Sequence, residues 1–149
     1  KMENKISELN QRLLKDIMNI MIPKNDEIPA AGDMGLYKQI EKHFLSSNNH
    51  KKSIISILES INLHPNVRIS GSFFSIDLTE KIEIIRWHEE NMIDDFNKFK
   101  ESIFAVYYSD ERVVRKINWD QEKVKKIEPK WDPSILEKVK KIEPFWKKF

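Results

Sequence analysis

The sequence contains no cysteine, which excludes disulfides, thiolate metal sites and a cysteine nucleophile. That absence fits the cytosol and the periplasm equally. Only three glycines occur, Gly32, Gly35 and Gly71. Three are too few for most phosphate loops, parallel α/β units or hairpin-rich sheets. No apolar run approaches the ~20 residues of a membrane-spanning helix. The chain begins Lys1-Met2-Glu3 without a basic and apolar leader, so any export signal is expected to have been removed or supplied elsewhere. Charge of one sign is also lacking: 26 basic against 24 acidic residues leave a net +2. The molecule as a whole therefore gives no reason to invoke nucleic acid.

What is present suits a compact helical domain. The 149 residues are 40% hydrophobic and 34% charged, enough apolar content for a core beneath a heavily solvated surface. Ile6, Leu9, Leu13, Ile17 and Ile20 recur at helical spacing, and that helix must end before Pro23. Residues 23–32 read as an ordered loop. A second helix carries Met34, Tyr37, Ile40 and Phe44, and a third carries Ile54, Ile57, Leu58 and Ile61 with Asn49 as its cap. Residues 62–76 read as a long connection. Asp77-Leu78-Thr79-Glu80 fits a capping box before a helix that buries Ile82, Ile85 and Trp87. A long helix from about Asn91 to Tyr108 follows, striped by Met92, Phe96, Phe99, Ile103, Phe104 and Tyr107. Ser109-Asp110 then opens a short helix through Val113, Val114 and Ile117. The pattern predicts an all-α bundle of about five or six helices over residues 1–119.

Residues 120–149 differ. They carry a net +3, whereas residues 1–119 carry a net −1. Glu122 to Trp131 recurs as Glu137 to Trp146 with nine of ten positions identical. Each copy holds Val, Ile, a helix-stopping Pro and a Trp. Two copies fall short of a self-stabilising array, and helices this short are marginal in water. Such a partly helical C-terminal arm either packs back on its own bundle or grips a partner. A membrane-surface segment is the weaker reading, because six acids dilute its charge.

Catalytic patterns fail one by one. None of His43, His50, His64 and His88 follows a carboxylate by three residues, so the Glu-x-x-His pair of di-iron bundles is absent. His88-Glu89 starts like a zinc-protease helix, but residue 92 is Met. No Gly-x-Ser-x-Gly or Ser-x-x-Lys pattern occurs. Glu90 and Asp94 are spaced to share one helical face and a proton, although such pairs more often form a solvated face. The expected role is binding, scaffolding or accessory support.

The segment Tyr107-Tyr108-Ser109-Asp110-Glu111-Arg112-Val113, followed by Trp119, resembles the small subunit (subunit 3, or gamma) of gluconate 2-dehydrogenase and related flavin-dependent sugar dehydrogenases. Earlier blocks fall in the same order: Ile20-Met21-Ile22-Pro23, then Ile28-Pro29-Ala30-Ala31-Gly32-Asp33-Met34-Gly35, then Phe73 to Glu80. Trp131-Asp132-Pro133-Ser134-Ile135 resembles the usual ending. The chain departs from that pattern at Asn118, where a Gly-Trp pair is common, and in its duplicated Lys-rich tail; the twin-arginine leader of many members is expected here to have been removed or supplied elsewhere.

The resemblance implies a cofactor-free, non-catalytic subunit that binds, stabilises and helps mature or export a large FAD-dependent glucose-methanol-choline-type dehydrogenase. FAD would belong to that partner, a cytochrome c subunit could complete the electron path, and the membrane would be met only through the complex. The implied location is periplasmic. The expected contact residues are Tyr107, Tyr108, Asp110, Arg112, Trp119, Trp131 and Trp146, since Trp, Tyr and Arg lead interface hot spots. Tyr107 also fits the helix stripe and so equally reads as core, whereas Tyr108 lies off it. Two other classes stay open: a helical interaction or regulatory module with an unrelated target, and a stand-alone metal-dependent helical enzyme.

Overall fold

The computed structural model describes residues 5–121, with side chains through 118. Among them are seven α-helices and no strand: α1 Glu8–Met21, α2 Tyr37–His43, α3 Asn48–Asn62, α4 Pro65–Ser70, α5 Leu78–Asn91, α6 Ile93–Ser109 and α7 Glu111–Gln121. Single 3₁₀ turns span Ala31–Asp33 and Phe73–Ser75. The all-α bundle expected from the periodicity is the observed fold. The repeats ending in Trp131 and Trp146 lie outside the described residues.

Helix α6 is the centre. Phe96, Phe99, Ile103, Phe104, Ala105, Val106 and Tyr107 are all buried along it, a coverage that requires neighbours on several sides. Its most extensive contact is with α3, and α2, α5 and α7 also pack on it. Helix α3 contributes Ile54, Ile57, Leu58 and Ile61. Two polar groups in this seam are satisfied locally: Ser102 Oγ donates to Phe99 O at 2.7 Å, and Ser53 Oγ donates to Asp95 Oδ1 at 2.8 Å. Helix α1 buries Leu13, Leu14, Ile17 and Met18 and packs on α2, α3 and the two 3₁₀ turns. Ser7 caps it by accepting from Asn10 N–H.

Several local expectations need correcting. Leu9 was expected on the inward stripe of α1 but is 61% exposed, while Leu14 and Met18 are buried. The inward stripe is therefore rotated, and Ile6 reaches the core from just before the helix. Asn49 lies inside α3; Ser47 is the residue at its N-terminus. The connection 62–76 contains α4, started by Pro65 at its first position and by His64, whose Nδ1 accepts from Asn66 N–H at 3.1 Å. Gly71 ends α4 at φ 94°, in the left-handed region. Trp87 is 48% exposed, and His88 takes the inward place at 1%. Ile84, Ile85 and His88 fall at i, i+1 and i+4, one step round the helix from the expected face.

Helices α5 and α6 do not form one rod. Met92 breaks them at φ −123°, ψ 58°, so Glu90 and Asp94 stand on different helices rather than one turn apart. Asn91 Nδ2 donates to Trp87 O at 2.9 Å in the last turn of α5, and Asp94 and Asp95 complement the positive first turn of α6. The capping acid was legible: Asp77 Oδ1 accepts from Glu80 N–H at 2.9 Å.

The loop between α1 and α2 docks on α1 by a close approach. A Cβ placed on Gly32 would lie 2.0 Å from the Lys15 carbonyl oxygen, so a backbone contact requires glycine there. Gly35, by contrast, has open space around it and is needed only for φ 73°. The Gly32-x-x-Gly35 spacing is thus spent on packing and turning the chain. Gly32→Ala should destabilise the protein by about 1–3 kcal/mol through overpacking, more than Gly35→Ala, which carries only left-handed strain of about 1 kcal/mol. Urea denaturation of the two variants checks the order.

Candidate functional site

The tyrosine block folds into the corner between α6 and α7. Tyr107 is 5% exposed and belongs to the core. Tyr108 is half-buried: its ring stacks on Phe104 at 6.1 Å and meets Tyr107 edge-on at 5.1 Å. Burial raises both phenols above their ordinary pKa, with Tyr108 and Asp110 adding to the effect on Tyr107. Both therefore stay neutral donors at physiological pH.

At the corner itself, Asp110 leaves the helical region at ψ 138°. Its Oδ1 accepts from Arg112 N–H at 2.9 Å, which satisfies an amide in the first turn of α7. The Arg112 fork closes on the same carboxylate, Nε to Oδ1 at 2.9 Å and Nη2 to Oδ2 at 2.9 Å. This bond raises the guanidinium pKa further. Arg112 Nη2 also donates to Met34 O at 3.4 Å, and Lys116 Nζ lies 3.4 Å from Glu27 Oε1. The 24–34 loop and the α6–α7 corner are thereby laced into one surface. Asp110 and Arg112, expected together as contact residues, are bound to each other; Tyr107 sits beneath them and Tyr108 beside it. Trp119 belongs to α7 by its backbone. Trp131 and Trp146 lie outside the described residues.

A second region was missed in the sequence because its parts fell in a presumed connection. The start of α1, the end of α3, α4 and the 3₁₀ turn Phe73–Ser75 surround a cavity of about 480 Å³. Leu9, Leu13, Val67, Phe73 and Phe74 give it apolar walls, and Arg12 and Arg68 are its charges. Asn62, which lines the cavity, donates from Nδ2 to Asn10 Oδ1 at 2.9 Å and so ties α3 to α1. Arg12 lies over the Phe74 ring at 5.1 Å. Lys81 lies 5.4 Å from the Phe73 ring, but its charge is engaged by Asp16 at 3.0 Å.

A serine–histidine contact also occurs. Ser60 Oγ is 2.8 Å from His88 Nε2, and His88 Nδ1 is 2.8 Å from Ile84 O. A carbonyl only accepts, so Nδ1 carries the proton and Nε2 accepts from the serine. This histidine is sealed from solvent and oriented by a backbone carbonyl rather than a carboxylate, so the pair fastens α5 to α3. Among the described residues, no group of three or more His, Asp or Glu side chains is placed to hold a metal ion, and no helix is long and apolar enough to cross a membrane.

No protein-family model, curated protein or solved structure matches this chain. The resemblance to the dehydrogenase small subunits rests on the ordered sequence blocks alone.

The buried histidine gives a signed pH dependence. Desolvation lowers the His88 pKa below 6.5; the bond to Ile84 opposes this and His64 adds to it. The unfolded chain therefore binds the proton more readily, so stability is complete above that value and is lost as pH falls below about 6.5. His43 and His50 shift in the same direction, also through burial first. Denaturant titrations across this range should show a smaller acid loss in His88→Gln than in the wild type. Equal losses would mean that His88 titrates as it does in the unfolded chain.

Proposed function

We propose that this chain is a non-catalytic small subunit that binds and stabilises a large FAD-dependent dehydrogenase of the glucose-methanol-choline type, and helps it mature or reach the periplasm. The partner supplies the flavin and oxidises a sugar or sugar acid, and a cytochrome c subunit can carry the electrons onward. What supports the reading is an encounter in space. Two of the blocks that carry the resemblance, Ile28–Gly35 and Tyr107–Val113, meet where Arg112 reaches Met34 O. Blocks far apart in sequence thus share one surface.

The role is physical rather than chemical. A corner fixed by a bidentate ion pair is pre-organised, so little side-chain entropy is lost when a partner covers it. Tyr108 adds a rigid ring with a neutral hydroxyl, the kind of group that anchors interfaces. Trp119, Trp131 and Trp146 extend the proposed contact on sequence grounds.

Co-expression with a large flavin-binding dehydrogenase of the glucose-methanol-choline type from the same source should yield a yellow complex. The dehydrogenase made alone should be less soluble or less active. Tyr108→Ala and Arg112→Ala should each weaken the complex by about 30-fold, the effect of losing about 2 kcal/mol at a hot spot. Melting of the free chain should change little in Arg112→Ala, because Asp110 still holds the residue 112 amide, whereas Tyr108→Ala also loses its packing on Phe104 and Tyr107 and should melt lower. Equal yield and activity of the dehydrogenase with and without this chain would overturn the proposal.

A further inference from the structure

We propose that copies of this chain associate head to tail, the acidic corner at the α5–α6 break of one copy seating in the basic, apolar cavity between α1 and α4 of the next. The inference is independent of the dehydrogenase reading and uses different surfaces. Seven large hydrophobic residues are exposed among the described residues, and they fall into two groups. Leu9 and Phe74 form the lip of the cavity, and Leu63, Ile69 and Leu78 flank its walls in sequence. The other two, Trp87 at 48% and Ile93 at 56%, bracket the α5–α6 break.

The charges divide the same way. Arg12 and Arg68 are exposed at the cavity, whose lining contains no acid. Neither guanidinium has a carboxylate partner among the described residues. Beside Trp87 and Ile93 stand Glu90 and Asp94, exposed and likewise without a cationic partner there. Lys81–Asp16 and Arg112–Asp110, by contrast, are paired within the chain. Each site therefore supplies what the other lacks: apolar anchors of matching kind and charge of opposite sign.

One copy cannot satisfy both. The cavity adjoins the 3₁₀ turn just before α5, and the acidic corner lies at the far end of that helix. Fourteen residues at 1.5 Å rise separate them by about 20 Å. Contact between two different patches is heterologous, so it propagates from copy to copy and forms a ring or an open chain. It also leaves the α6–α7 corner uncovered.

The test measures the mass of the full chain in solution against concentration. The wild type should assemble, and raising the ionic strength should weaken the assembly. Arg12→Glu with Arg68→Glu makes both surfaces acidic, and Glu90→Lys with Asp94→Lys makes both basic; each double variant should associate at least about tenfold more weakly. Mixing the two variants pairs an acidic cavity with a basic corner and the reverse, so the mixture should recover association. Ile93→Ser removes an anchor without touching charge and should weaken the wild-type contact. All five positions are exposed, and circular dichroism checks that each variant is folded. A chain that stays monomeric at every concentration, whatever else the cavity binds, overturns the proposal. So does an assembly indifferent to both charge reversals, or a mixture no better than its components.

Discussion

Burial of α6 is the constraint on which the rest of the structure depends. A helix carrying Phe96, Phe99, Phe104 and Tyr107, with Ile103, Ala105 and Val106 between them, has no wide polar face along its second half. It must be wrapped. Ala105 and Ser102 keep the helix narrow between its aromatic residues, and the aromatics fill the space between α6 and its neighbours. A shift of one residue in α6 would carry polar side chains into that seam. Each unsatisfied polar group would cost about 1–3 kcal/mol, a large share of the ~5–15 kcal/mol by which a domain is stable.

The same helix delivers the functional surface. As α6 leaves the core its last turn still holds Tyr107, while Tyr108 faces partly outward and Asp110 turns the chain into α7. The corner is rigid because its base is core and its rim is an ion pair anchored to backbone at Arg112 N–H and Met34 O. Opposite in character is the cavity at the start of α1, where Arg12 and Arg68 have no carboxylate partner among the described residues and Leu9 and Phe74 stay exposed. One surface is pre-organised and one is unsatisfied, and each condition points to binding in a different way.

Much of this order was legible in the sequence. The 3.6-residue stripes located α1, α3, α5 and α6, and Pro23 and Asp77 marked their ends, because periodicity and capping are local. What escaped depended on neighbours. Trp87 and His88 are adjacent, and hydrophobicity alone puts the indole inward; the structure puts in the imidazole because Ser60 and Ile84 O can satisfy it. The break near Met92 was legible, because the stripe of α6 starts at about Asn91, but the Glu90–Asp94 spacing was read across it as one helical face. Helix α4 was hidden by Pro65 and Gly71, which read as loop residues yet serve as its first residue and its stop. The cavity was invisible for the same reason: its walls come from α1, α3, α4 and a 3₁₀ turn, joined only in space. Of the proposed contact residues, Tyr108, Asp110 and Arg112 share the corner, and Tyr107 lies beneath it.

Native-state hydrogen exchange on the free chain tests the central claim, that the α3–α6 seam holds the fold together. The account predicts that amides of Phe99–Tyr107 and Ile54–Ile61 exchange slowest, at the free energy of global unfolding. Those of α4, with little buried beyond Val67, should open locally at lower cost. Slowest exchange in α1 or α5, with α6 opening before them, would contradict the account.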